Sequence, residues 1–301
     1  MSAVLTALAP VFALVALGFL MRRFGPYGDG FWLPAERLNY YLLFPSLLVV
    51  SLARAEIADM TLWPMALAMV GALAAVIGLL YALRRRLPVE PAGFTALFQG
   101  AIRPNTYVAL AVAASLYDSA GTTLAAVAIA VVIPLVNVLS VVVLSAHAPA
   151  VRGRDAAVQV LRNPIVLACA LGIALNLSGL RLPSVGEEFL RLLGRAALPL
   201  GLLCVGAGLD LPAARTGGLA LAAASAVKLA LLPALTALLC LALGVYGATQ
   251  DVAVLFNGCP ASAASYILTR QLGGDHRLMA GIVAAQTVAA MATLPLLMLL
   301  F

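Results

Sequence analysis

Charge is scarce in this chain. Only 10% of its 301 residues are Asp, Glu, Lys or Arg, while 64% are hydrophobic, a balance outside that of soluble domains. Lysine occurs once, at Lys228, and histidine twice, at His147 and His276. Both histidines fall in short polar connections, so no nucleophile–base pair or metal-ligand cluster is expected at bilayer depth. This argues against an intramembrane enzyme. The four cysteines, Cys169, Cys204, Cys240 and Cys259, all lie in apolar segments without zinc-type spacing or an obvious disulfide partner. No glycine-rich Lys-Ser/Thr loop is present, so ATP hydrolysis by a P-loop is excluded. No basic residue precedes Arg22, so the first apolar segment reads as a retained helix and not a signal peptide. Neither metal nor cofactor is expected. The net charge of +6 comes from arginines at segment ends and does not point to nucleic acid.

What the chain has in abundance is apolar runs. A bilayer crossing takes about 20 apolar residues. The sequence predicts ten helices, over 2–21, 34–52, 62–83, 92–117, 121–145, 163–178, 190–209, 217–243, 251–271 and 278–300. With an external N-terminus, twelve arginines fall in inside connections (22, 23, 37, 84, 85, 86, 152, 154, 162, 215, 270 and 277). Four fall outside (54, 181, 191 and 195). That bias predicts both termini outside. Segment 146–162 reads as a short cytoplasmic connection between repeats 1–145 and 163–301. "PVFALVALG" aligns with "PIVLACALG" at an offset of 154, and Pro45 meets Pro199 in the same frame. Five spans per half is odd, so the second copy is inverted, a mark of secondary transporters. The expected fold is an all-α polytopic membrane protein of ten transmembrane helices in two inverted five-helix repeats, with the fourth and ninth helices broken and crossed.

The breaks are read from "FQGAIRPNTYV" (98–108) and "FNGCPASAASYIL" (256–268). Proline in a helix interior removes a hydrogen bond, and lipid offers no replacement. Gly100 and Gly258 are expected to end first half-helices, with Pro104 and Pro260 in the first turn of the second halves. The partly positive half-helix N-termini then meet at one central site. Asn105, Thr106, Ser262 and Ser265 add side-chain groups there, and Asn257 belongs to the second signature. Arg103 stands at the first break and Lys228 at mid-span, with no Asp or Glu at that depth. Unpaired cations there favour an anionic ligand, although long stems also let such side chains reach an interface. Asn137 and Gln286, in the fifth helix of each repeat, are further cavity-lining candidates.

Over its whole length the chain resembles the auxin efflux carrier family, as a bacterial member. The resemblance is carried by "LNYYLLFPSLL", "RPNTYVALAVA", "VIPLVNVLS", "NPIVLACALGIALN", "LPLGLLCVGAGLDL", "VKLALLPAL" and "NGCPASAASYILTRQLGGD". It implies the fold of bile-acid sodium symporters and a scaffold of helices 1, 2, 6 and 7. It also implies a mobile transport domain of helices 3–5 and 8–10, elevator-type movement and a homodimer. The family's crossover prolines correspond to Pro104 and Pro260, and their polar neighbour to Asn105. The long central loop of the plant carriers is absent, so neither regulation through it nor auxin as substrate carries over. Bacterial relatives are loosely associated with malonate or malate. The resemblance thus implies a carrier of small organic anions in the cytoplasmic membrane. A symporter coupled to H+ or Na+, of the bile-acid type, is the alternative, and a channel is a more distant one.

Overall fold

The structure, a computed structural model, describes residues 2–55, 62–86, 89–145 and 162–300. The proposed cytoplasmic connection lies outside the described residues, apart from Arg162. Among the described residues all regular structure is helical, and no strand forms. In chain order the elements are α1 (Ser2–Phe24), α2 (Asp29–Leu38), a π-helical turn π1 (Asn39–Leu43) and α3 (Phe44–Ala53). There follow α4 (Leu62–Leu83), α5 (Pro91–Ile102), α6 (Thr106–Ser145), α7 (Pro164–Ser178), α8 (Ser184–Ala207) and the one-turn α9 (Leu211–Ala214). The last are α10 (Gly218–Ala226), a second π turn π2 (Val227–Leu231), α11 (Leu232–Ala242), α12 (Ala248–Gly258), α13 (Ala264–Gln271) and α14 (His276–Leu300). Among the described residues six stretches are long and apolar enough to cross a membrane: Val4–Phe24, Leu62–Leu83, Thr106–Leu144, Ser184–Ala207, Gly218–Ala242 and His276–Leu300. Large apolar side chains such as Trp63, Leu177 and Leu238 lie exposed on the outside, as lipid permits and water does not.

Six falls short of the ten helices read from the sequence, for physical reasons. The 40 residues of α6 would span about 60 Å if straight, twice a bilayer core. They are not straight. Tyr117 and Asp118 leave helical geometry, and Asp118 takes φ 49°, the only non-glycine residue at positive φ among those described. A methyl group built on Gly121 would stand 2.0 Å from the Ala113 carbonyl oxygen. In a continuous helix residues eight apart are separated by about 12 Å. The chain therefore folds back at Tyr117–Asp118, and α6 is two arms, corresponding to the fourth and fifth segments read from the sequence. Elsewhere the count falls because breaks leave pieces shorter than a span.

The π turns have one cause. Pro45 and Pro233 lack an N–H and crowd the carbonyl four residues back. In each helix the ladder widens just before the proline: the Phe44 amide bonds to the Asn39 carbonyl, and the Leu232 amide to that of Val227. This sets Asn39 and Lys228 inside π turns, both fully buried.

Close backbone approach joins α1, α3, α7 and α8. A methyl on Gly18 would lie 2.1 Å from the Leu203 carbonyl oxygen, and one on Gly206 1.8 Å from that of Val15. Gly172 meets Leu52 and Val49, and Gly194 meets Leu47. Small residues at such crossings are the usual means of helix association in lipid. The Asn176 amide donates to the Ala53 and Ala55 carbonyls, capping α3, and Arg54 pairs with Glu187. A second group packs α4 against α11 and α12, and α5 against α10 and α14. Gly206→Val is expected to lower thermal stability by roughly 1–3 kcal/mol through overpacking. Gly78→Ala, where an added methyl meets nothing within 4 Å, should leave stability unchanged or slightly raised. Equal melting temperatures for the two variants in detergent would refute this account of the α1–α8 crossing.

Candidate functional site

The residue before a proline is pushed towards extended backbone, and Arg103 obeys, with φ −86° and ψ 112°. Cys259, before Pro260, does the same at φ −65° and ψ 149°. Two helices thus open into short extended links, and these links pair with each other. Pro104 and Ala261 form an antiparallel bridge. The Asn105 amide donates to the Pro260 carbonyl at 2.8 Å, and the Ser262 amide to the Arg103 carbonyl at 3.3 Å. Backbone groups freed by one break are satisfied by the other, which meets the demand that lipid makes. The prolines lie within the links and not in the first turn of the following helices. Those helices begin later, at Thr106 behind Asn105 and at Ala264. Gly258 is the last residue of α12, whereas α5 continues two residues past Gly100 to Ile102.

Side chains complete the crossing. Asn105 Oδ1 accepts from the Tyr107 and Val108 amides at 3.2 and 3.3 Å, capping α6. Gln286 spans both breaks: its Nε2 donates to the Gly100 carbonyl at 3.1 Å and its Oε1 accepts from the Ala261 amide at 2.9 Å. Gln99 Nε2 donates to Thr269 Oγ1 at 2.8 Å, tying α5 to α13, and Asn257 Nδ2 donates to Thr236 Oγ1 at 2.8 Å. Ser262 Oγ accepts from the Ala264 amide at 3.3 Å. Several buried polar atoms at the crossing make no hydrogen bond within the described residues: Arg103 Nη1, Asn105 Nδ2, Ser265 Oγ and Lys228 Nζ. Three of them are nitrogens that can donate to a ligand, and none has a carboxylate beside it among the described residues. The Tyr40 phenol lies within electrostatic reach of Arg103, and the Cys259 thiol within that of Lys228.

The structure therefore gathers Arg103, Asn105, Thr106, Asn257, Ser262, Ser265, Lys228 and Gln286 at or beside one point. Asn137 is different: it is half-buried on the second arm of α6, and no hydrogen bond among the described residues ties it to the crossing. Gln286 has both ends of its amide engaged by backbone, which makes it a brace. Sequence reasoning passed over Gln99 as a site residue, although it holds the same place in the first Phe-amide-Gly signature as Asn257 in the second. Asn39, Thr236 and Thr269 gave no signal, being polar residues within apolar helices.

A cavity of about 960 Å³ opens near the ends of α1, α8 and α13. Arg22, Arg23, Arg215 and Arg270 line it opposite Glu36 and Asp210, and it reaches Ala263, next to Ser262. Part of this charge is already used, since Arg22 donates to the Ala207 carbonyl at the end of α8. The wall is nonetheless basic and leads from the surface towards the crossing.

Residues 154–298 match a family described as "Membrane transport protein". The chain is also similar to an "Uncharacterized transporter" of Methanothermobacter thermautotrophicus, 25% identical over 298 residues, covering 95% of this chain and 94% of that protein. Both similarities point to transport and not to catalysis. The chain is a multi-pass membrane transporter, its second half matched by the membrane transport protein family, and its resemblance to the auxin efflux carrier family holds.

Proposed function

We propose that the protein is a secondary carrier of small organic anions, carboxylates in particular, which bind at the crossing of the two broken helices. The observation that carries this reading is the set of unpartnered guanidinium, amine and amide nitrogens there, with no carboxylate beside them among the described residues. Two helix N-termini, at Thr106 and Ala264, add partial positive charge at the same place. Low dielectric makes each of these contributions larger than it would be in water.

The chain then comprises ten crossings in two inverted five-helix repeats, with both termini outside a bacterial cytoplasmic membrane. α1, α2–α3, α7 and α8 form a scaffold through which two copies pair. The remaining helices move against it as an elevator and carry the crossing between two faces. Supporting this division are the glycine-mediated contacts within the first group and the backbone bonds that make the crossing one unit. The basic cavity serves as the approach from one side. Purified protein in liposomes loaded with unlabelled malonate is expected to take up radiolabelled malonate by counterflow, saturating with concentration. Uptake that never saturates, or conductance far above carrier turnover, would mean a channel. Transport restricted to cations would defeat the anion reading.

A further inference from the structure

We infer that Lys228 is a proton-carrying site: its amine takes up a proton when an anion binds at the crossing and returns it when the anion leaves. This rests on the anion-carrier reading above and goes beyond it by naming the coupled ion and its carrier. Lys228 is fully buried, and its Nζ makes no hydrogen bond within the described residues. It also stands level with both breaks. Ala224, one turn before it, lies 3.5 Å from the position of a methyl on Gly100, and Pro233, just beyond it, lies 3.2 Å from one on Gly258.

The elements packed against π2 are α5, α12 and α14, besides its own helix. Their ionisable groups, flanking residues included, are Glu90 and Arg103 at the two ends of α5, Asp251 and Cys259 on and after α12, Asp275, His276 and Arg277 at the start of α14, and Cys240 on α11. Of these, only the Cys259 thiol is within electrostatic reach of Lys228. A buried charge without a partner is far costlier than a buried neutral amine. An anion at the crossing reverses the balance, because its attraction for an ammonium is strong at low dielectric. By reciprocity, anion binding then favours proton uptake and proton uptake favours anion binding. The step is balanced: amine plus proton gives ammonium as the anion binds, and the reverse follows on release, with no electrons transferred. Arginine cannot do this, since a guanidinium keeps its proton. Of the 18 Lys and Arg side chains the other 17 are arginine, and the two histidines, His147 and His276, lie outside the two break segments of the sequence.

A polar cavity of about 560 Å³ lies towards one end of the helix that carries the amine and is lined by Glu90, Asp275, His276, Gly93 and Ala220. Ala220, Ala224 and Lys228 recur every four residues on one helix face, covering about 12 Å. On α5, Gly93 and Gly100 line up in the same way, seven residues apart. Small residues thus face one another where α5 meets α10, with Leu278 and Ile282 of α14 packed against Gly93 and Gly100.

Calorimetric titration of the protein in nanodiscs with malonate tests this. It is done in two buffers of different ionisation enthalpy, at a pH where malonate is fully ionised. Wild type is expected to take up about one proton per malonate bound, and Lys228→Met none. In liposomes holding a pH-sensitive dye, malonate entry should acidify the lumen with wild type; Lys228→Met should bind malonate more weakly, and the malonate it does carry should bring no acidification. Wild-type binding with no proton uptake overturns the proposal and needs no variant. So does a Lys228→Met protein that moves as many protons as wild type, with the anion reading left standing. Failure of wild type to bind or carry malonate removes the carboxylate reading, and this inference with it.

Discussion

Arg103→Gln is expected to weaken malonate binding roughly 10- to 100-fold, the range that corresponds to losing one charge-assisted hydrogen bond. Folding should be nearly untouched, for two reasons. The guanidinium Nη1 makes no hydrogen bond within the described residues, so truncation strands no protein partner. The part of Arg103 that holds the crossing together is its carbonyl, which accepts from the Ser262 amide whatever the side chain. Affinity from calorimetry and melting temperature from the same preparation should therefore separate, the first falling and the second staying. If malonate binds the variant as tightly as wild type, Arg103 is a structural residue and the source of anion selectivity lies elsewhere.

Gln286→Leu should show the opposite pattern, a large loss of stability. The substitution removes both ends of the brace and leaves the Gly100 carbonyl and the Ala261 amide without their partner in a buried setting. Each stranded group costs about 1–3 kcal/mol. The leucine roughly fills the same volume, so the effect is one of polar satisfaction and not of a cavity. The four free cysteines, all buried or half-buried, give a convenient readout: a thiol-reactive dye reports their exposure on heating. Gln286→Glu should rescue only in its protonated form, because an ionised carboxylate cannot donate to the Gly100 carbonyl. A melting curve for Gln286→Leu that overlays wild type would show that the brace carries no weight.

The paired Phe-amide-Gly and proline signatures made the position of the breaks legible, because Pro and Gly act on their own backbone and nearest turn. How the breaks are finished was not legible. Pairing between Pro104 and Ala261 depends on residues 157 apart in sequence coming together, and local chemistry carries no record of that. An isolated helix tolerates proline in its first turn, and the sequence alone therefore predicts both prolines there. Here the other extended link supplies hydrogen-bond partners for the extended backbone, and the helices start later. Gln286 illustrates the same limit from the other side. A lone amide in an apolar helix reads equally well as a ligand contact or a brace, and only its two partners decide. Asn39 and Lys228 sit in π turns that no periodicity predicted, since Pro45 and Pro233 each widen a turn whose apolar pattern is otherwise unbroken.

Each π turn holds one residue more than an α turn would, and that has a bearing on how related chains should be compared. One residue corresponds to about 100° of rotation about the helix axis. Everything before Pro233 is therefore turned by that amount relative to α11, compared with an uninterrupted helix. Deleting a single residue from 227–231 would restore the regular ladder and swing Lys228 from the crossing towards a neighbouring helix or lipid, with scarcely any change in composition or hydropathy. Relatives aligned without a gap at this point could carry a lysine in the same column and yet point it in a different direction. The ladder register, and not the identity of the residue in the column, decides which of them share the buried amine.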